Sequence, residues 1–190
     1  VGIVVMAAIM VEIISVIQYQ RLRRMMLEET GARGRVVVSA MADQIQQTLG
    51  LVESTMRENM WDVKRSLAHP DSVYPALVRL IDDNPHVVGG CLAFAPNYYP
   101  SKGRLYEPYA SKDKDRKITV SQIAGPGHDY TQNEEYQWVI DHGNPSWTDP
   151  YIFGADSVCL TTYSYPIFDR NGRIVAICGL DMDLSWLGDT

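Results

Sequence analysis

The 190 residues predict an α+β fold: a long N-terminal helix packed on a mostly antiparallel, five-stranded sheet. Three observations carry this. Residues 41–67 hold an apolar stripe at helical spacing. Five short runs rich in β-formers follow it. The last two of these are joined through Asp169-Arg170-Asn171-Gly172, a tight-hairpin signal in which Asn and Gly accept positive φ cheaply. Runs of strands around a small helical insertion fit a sheet with helices on one face.

Residues 1–17 read VGIVVMAAIMVEIISVI, with Glu12 and Ser15 as the polar members. About 20 apolar residues span a bilayer as a helix. Residues 1–18 are therefore expected to form most of a transmembrane helix, rather than a signal sequence or a core helix. Glu12 costs about 2.5–3.5 kcal/mol there, which the remaining residues offset. Arg21, Arg23 and Arg24 follow directly, a flank that the positive-inside tendency places in the cytoplasm. Residues 19–69 are expected to be a juxtamembrane stalk helix, weakened at Gly31 and Gly34. Its stripe runs Met41, Ile45, Leu49, Val52, Met56, Met60, Val63 and Leu67, and predicts packing on its own domain and on a partner subunit. His69-Pro70 should stop it.

A second helix is expected over 74–83, capped by Asp71 or Ser72, with Pro75 in its first turn. Strands are expected at 86–96, 104–110, 118–122, 158–168 and 173–183, and a helix at 133–141. Loops should cover the sheet face away from the long helix, and a pocket would lie there.

The formal charge of −6, without a basic patch, argues against nucleic acid. Cys91, Cys159 and Cys178 are odd in number and lie in apolar runs; they read as buried hydrophobes. The four histidines are scattered in loops, and no metal-ligand spacing, phosphate-binding loop or nucleophile–base pair is present. No catalytic residue, metal or cofactor is therefore expected. An enzyme would need Asp181, Tyr163, His128 or His142 to converge on folding. The dense aromatic set Tyr130, Tyr136, Trp138, Trp147 and Tyr151 suits a pocket lining, since Tyr and Trp pair an apolar body with a polar tip.

GRLYEPYA (103–110), DYTQNEEYQW (129–138), PSWTDPY (145–151) and TTYSYPIFDRNGRIVAICGLDMDL (161–184), in that order, resemble the Cache family. These are PAS-like, extracytoplasmic ligand-sensing domains of bacterial transmembrane receptors. The resemblance covers about residues 35–190 and is greatest to the membrane-distal module of a double Cache domain. It implies a PAS-like sensor over 70–190, facing the periplasm from the inner membrane. It also implies a homodimer through the long helix, and an output beyond Thr190 such as a histidine kinase, chemotaxis, phosphatase or cyclase domain.

In amino-acid-binding members an Asp at the end of the last strand holds the ligand's amino group, and Asp181 matches it. The family's Arg falls on Asn133 and its Trp-Tyr pair on Glu135-Tyr136, while Tyr151 matches the later Tyr. The expected ligand-binding residues are thus Tyr109, Tyr136, Trp138, Trp147, Tyr151 and Asp181. Without the Arg no residue grips a carboxylate bidentately, so an α-amino acid is not expected; a small polar metabolite is, whether an amine, another polar molecule or a different organic acid. The alternative is a membrane-anchored dimerisation module without a small ligand, which would pack its aromatic cluster solid.

Overall fold

The computed structural model describes Gln18 and residues 36–113, 115–153 and 157–188. Residues 1–17 of the expected transmembrane helix over 1–18, and the glycines at 31 and 34, lie outside these. Among the described residues no helix is long and apolar enough to cross a membrane. The chain divides into two compact units, Val1–Gln47 and Thr48–Thr190. In the first, residues 36–47 are helical.

The second unit opens with a helix over 48–66 (α1). It ends four residues before Pro70, as the proline signal requires. A short 3-10 turn, Pro70–Ser72, leads straight into α2 (Val73–Asp82). The expected side-chain cap is not used: Ser72 makes no capping bond. At the far end Lys112 donates to the carbonyls of Ile81, at 2.7 Å, and Asn84, at 3.2 Å. A cation there complements the negative end of the helix dipole.

The sheet has seven strands among the described residues: β1 (Val87–Phe94), β2 (Pro108–Lys112), β3 (Ile118–Gln122), β4 (Ser146–Trp147), β5 (Tyr151–Phe153), β6 (Val158–Phe168) and β7 (Ile174–Asp183). Their order is β3-β2-β1-β7-β6-β4, with β5 also on β6, and every pairing is antiparallel. The five expected strands are all present. The addition is β4 and β5, which are too short to carry a periodic signal. The insertion also supplies α3 (Glu134–His142).

Alternation along the strands sends two residue sets to opposite faces. On the first face Leu92, Phe94, Ala110, Tyr163, Ile167, Cys178, Leu180 and Met182 join one core with Val52, Met56, Met60 and Val63 of α1 and Leu77, Leu80 and Ile81 of α2. Each fully buried Val, Leu, Ile, Phe or Met among them contributes about 1.5–3 kcal/mol. In this unit the helical stripe is thus consumed by its own sheet. Any partner must use the outward face of α1, where Leu51 and Trp61 are exposed.

The expected tight hairpin joins β6 and β7. Asp169 N donates to Arg173 O, at 2.8 Å, which encloses three residues. Only Gly172 adopts positive φ, at 76°. The Asp169 carboxylate accepts from Asn171 N and Arg173 N, at 2.8 and 2.9 Å, and holds the other two residues in right-handed turn geometry. Gly172→Ala is expected to lower stability by about 1 kcal/mol, read from a denaturant melt, because a Cβ is disfavoured at that φ.

Candidate functional site

The second face carries a cavity of about 300 Å³. Its floor is the outward row of the central strands: Cys91 and Ala93 of β1, Ile177 and Gly179 of β7, Thr162 and Ser164 of β6, and Glu107 just before β2. Gly179 keeps the floor low, since a Cβ there would lie 3.0 Å from Cys91 Sγ. The walls come from the insertion: His128, Tyr130, Asn133, Glu135, Tyr136, Thr148, Tyr151 and Phe153.

Specific bonds fix these walls. Tyr130 is fully buried and donates to Phe94 O at 2.5 Å, pinning the loop before α3 to β1. Asp129 accepts from Thr131 N at 3.0 Å and caps the turn Tyr130–Gln132 that follows. Tyr136 then stacks obliquely on Tyr130, ring centroids 5.2 Å apart. Thr148 accepts from Thr162 N through its hydroxyl, at 3.0 Å, which ties the β4–β5 link to β6.

Beneath the Thr162 end of the floor lies Asp181. It pairs across the sheet with Gly89 of β1 and Thr162 of β6. Its Oδ1 accepts from Thr162 Oγ1 at 2.7 Å and its Oδ2 from Tyr109 Oη at 3.0 Å. Thr162 Oγ1 also lies 2.8 Å from Tyr151 Oη. Burial raises the Asp181 carboxyl above its ordinary range, and these hydroxyls only partly offset the rise. Burial, then Asp181 itself, pushes the Tyr151 hydroxyl up to about 12. The arrangement is an acid short of positive charge, solvated by neutral donors.

Gly89 makes that arrangement possible. A Cβ there would fall onto the Tyr109 hydroxyl and 3.0 Å from Asp181 Oδ2. Gly89→Ala is expected to push the hydroxyl off the acid and cost about 1–2 kcal/mol. In thermal melts Gly89→Ala and Tyr109→Phe together should cost less than the sum of the two alone, because they remove the same bond.

A second acid lies at the other end. Glu107 is 4% exposed, and His128 Nε2 sits 3.0 Å from its Oε2. Burial raises its carboxyl, His128 lowers it, and Asp181 adds a smaller upward push. Glu135 stands on the exposed rim. Among the described residues no Lys or Arg lines the cavity.

Of the six residues expected here, Tyr136 and Tyr151 line the cavity, and Asp181 and Tyr109 form the hydrogen-bonded cluster beneath Thr162 and Tyr151. The two tryptophans are placed elsewhere. Trp138 lies two residues past Tyr136, about 200° round α3, and stacks on His142 at 4.3 Å while 41% exposed. Trp147 shares the helix-side face with its partner Tyr163, and its Nε1 donates to Glu53 of α1 at 2.9 Å. Glu107, His128, Thr162 and Cys91 were not expected. The first two are lone polar residues in loops, and only the neighbouring of β1 and β2 with the anchored Tyr130 brings them in. Cys91 borders Glu107, but burial holds its thiol well above the usual range, so it is not a thiolate nucleophile.

A helix-backed antiparallel sheet with a loop-walled cavity on its open face defines the class: a PAS-like sensor module. The chain belongs to the methyl-accepting chemotaxis protein-like, first PDC sensor domain family, matched over residues 73–189. No curated protein matches the chain. Among solved structures, methyl-accepting chemotaxis protein X is similar with a TM-score of 0.65 at 21% identity, over 80% of this chain and 61% of that one. The periplasmic sensory domain of the Campylobacter jejuni chemoreceptor Tlp1 gives 0.62 at 14% identity, over 80% and 59%. The ligand-binding domain of the C. jejuni chemoreceptor Tlp3, solved with 4-methylisoleucine, gives 0.58 at 16% identity, over 80% and 57%. These likenesses establish the fold. The chain spans about three fifths of the length of these structures.

Proposed function

We propose that this chain is the extracytoplasmic ligand-sensing part of a membrane-bound receptor, and that it detects a small polar metabolite carrying an amine. In this reading residues 1–18 span the membrane, 19–69 form the stalk, and 70–190 are the membrane-distal module of a double Cache arrangement. Any catalytic output would lie in a separate domain of the receptor. A homodimer would form through the stalk and the outward face of α1.

One observation carries the ligand class: Glu107, Glu135 and several hydroxyls line the cavity, Asp181 lies beneath Thr162 and Tyr151 hydrogen-bonded but without a cation, and among the described residues no Lys or Arg lines the space. A buried carboxylate is costly until it is paired. Tlp3 has been solved with 4-methylisoleucine and with L-norvaline. Each carries an ammonium and a carboxylate group. The present cavity offers acid for the first and no arginine fork for the second. A module serving only to dimerise would fill this space, and about 300 Å³ stays open.

Binding would draw α3 and the β4–β5 link toward β6 and β7. It biases signalling only by the difference in affinity for two states. The test is a thermal-shift series on the purified chain with amines, amino acids, organic acids and sugars. At 100 times its dissociation constant a ligand stabilises by about 2.7 kcal/mol. Stabilisation by amines alone is expected. Stabilisation by organic acids instead would defeat the reading.

A further inference from the structure

We propose that the ligand is a linear dication, one ammonium held at the Asp181 end of the cavity and the other at Glu107. This rests on the reading of the cavity as an amine sensor. Glu107 is 4% exposed, and its Oε2 is buried and accepts no hydrogen bond. His128 Nε2 lies 3.0 Å from that oxygen and is half-exposed, so it can turn away toward water and leave the oxygen to an incoming ammonium. Glu107 is thus a buried acceptor facing the cavity and ready for a donor.

The spacing suits two charges. Asp181 sits in the cross-strand row of Gly89, and Glu107 stands beside Ala93, whose neighbour Phe94 bonds Tyr106 O at 3.1 Å. Four residues of β1 separate the rows, about 13 Å of strand. Between them lie Cys91, Gly179, Ala93 and Ile177, a small and mostly apolar floor, under the rings of Tyr130 and Tyr136. Acid, apolar strip, acid is the complement of ammonium, methylene chain, ammonium. A monoamine would leave Glu107 to the half-exposed His128 and gain nothing from the second acid. A zwitterion would set its carboxylate against Glu107, and like charges in contact disfavour binding.

The experiment is titration calorimetry on the purified chain and on Glu107→Gln and Asp181→Asn, with putrescine, cadaverine, hexamethylenediamine, butylamine and γ-aminobutyrate as probes. At least one diamine should bind the wild type at least about tenfold more tightly than butylamine, with γ-aminobutyrate weakest. Glu107→Gln should weaken that diamine about tenfold and leave butylamine within about twofold. Butylamine or γ-aminobutyrate binding as tightly as every diamine overturns the dication. So does an equal loss of diamine and butylamine in Glu107→Gln. The wild-type series decides the matter without the variant, should Glu107→Gln fail to fold. No binding of any amine overturns the amine reading as well, whereas butylamine binding that needs Asp181 leaves that reading standing and removes only the second anchor.

Discussion

Asp181→Asn is expected to weaken an amine ligand on the order of 100-fold while the domain still folds. Removing one partner of a buried, hydrogen-bonded charge pair costs about 2–5 kcal/mol, and each 1.4 kcal/mol is tenfold. The fold should survive because the two protein contacts are hydroxyls, Thr162 Oγ1 at 2.7 Å and Tyr109 Oη at 3.0 Å. A hydroxyl can accept as well as donate, so the Asn amide finds partners at both positions. Calorimetry with putrescine and a thermal melt of the unliganded variant separate the two effects. Equal loss of melting temperature and binding would make Asp181 a structural acid.

The same residue should shape the pH profile. Burial raises the Asp181 and Glu107 carboxyls, so the folded state holds protons that the unfolded state gives up. Their contribution to stability is full below the ordinary carboxylate value and is lost as pH rises through the raised one. Asp129 and Asp169 act in the opposite sense, since hydrogen bonds from Thr131 and Arg173 respectively lower them. The difference between wild type and variant isolates the effect. Without ligand, Asp181→Asn should gain stability relative to wild type as pH rises from about 4. Amine affinity should rise over the same window, because the ammonium pairs with the ionised acid. A flat difference in chemical melts across that window would remove Asp181 from the titration.

Much of the fold was legible because its signals are periodic. The stripe through Val52, Met56, Met60 and Val63 marks the face of α1 that the sheet covers, and all four are buried. The runs on either side of Asn171-Gly172 pair in antiparallel register from Leu160 with Asp183 to Phe168 with Ile174. What failed was the direction of single side chains. Trp138 and Trp147 stand among aromatic neighbours in the chain, yet each faces away from the cavity. Tyr136 and Val139 set the inward side of α3, and Trp147 follows Tyr163 onto the helix-side face. Closeness in sequence says nothing about phase in a helix or strand until one buried residue fixes it. Asp181 stood out as a buried acid for a related reason. It interrupts a run covered on both faces, with Leu180 and Met182 toward the helices and Gly179 toward the cavity. Glu107 and His128 gave no such signal. They lie 21 residues apart in loops, and only the order β2-β1-β7, with the loop that Tyr130 anchors, brings them to the same cavity face as Asp181.

Gly90→Ala should be the most damaging single methyl in the domain. Gly90 pairs with Leu180 between the two central strands. A Cβ added there would lie 2.7 Å from the carbonyl oxygen of Gly179 and 2.9 Å from Leu180 Cδ2. Leucine can change rotamer, but the carbonyl moves only if β1 and β7 part, and that ladder holds the centre of the sheet. The expected cost is about 2–4 kcal/mol. At about 2–4 °C per kcal/mol this lowers the melting temperature by roughly 5–15 °C. Gly50→Ala supplies the contrast. Gly50 lies in α1 with nothing within 4 Å of a new Cβ, so alanine there should stabilise by about 0.5–1 kcal/mol. The two variants make the same chemical change with opposite sign. Parting β1 from β7 would also shift Cys91 and Gly179, which lie side by side in the cavity floor. Gly90→Ala, assayed with putrescine at a temperature where it remains folded, should therefore lose affinity as well as stability. Unchanged affinity alongside the lower melting temperature would mean that the strain is absorbed on the helix side, through Leu180 and Ile81, and does not reach the floor.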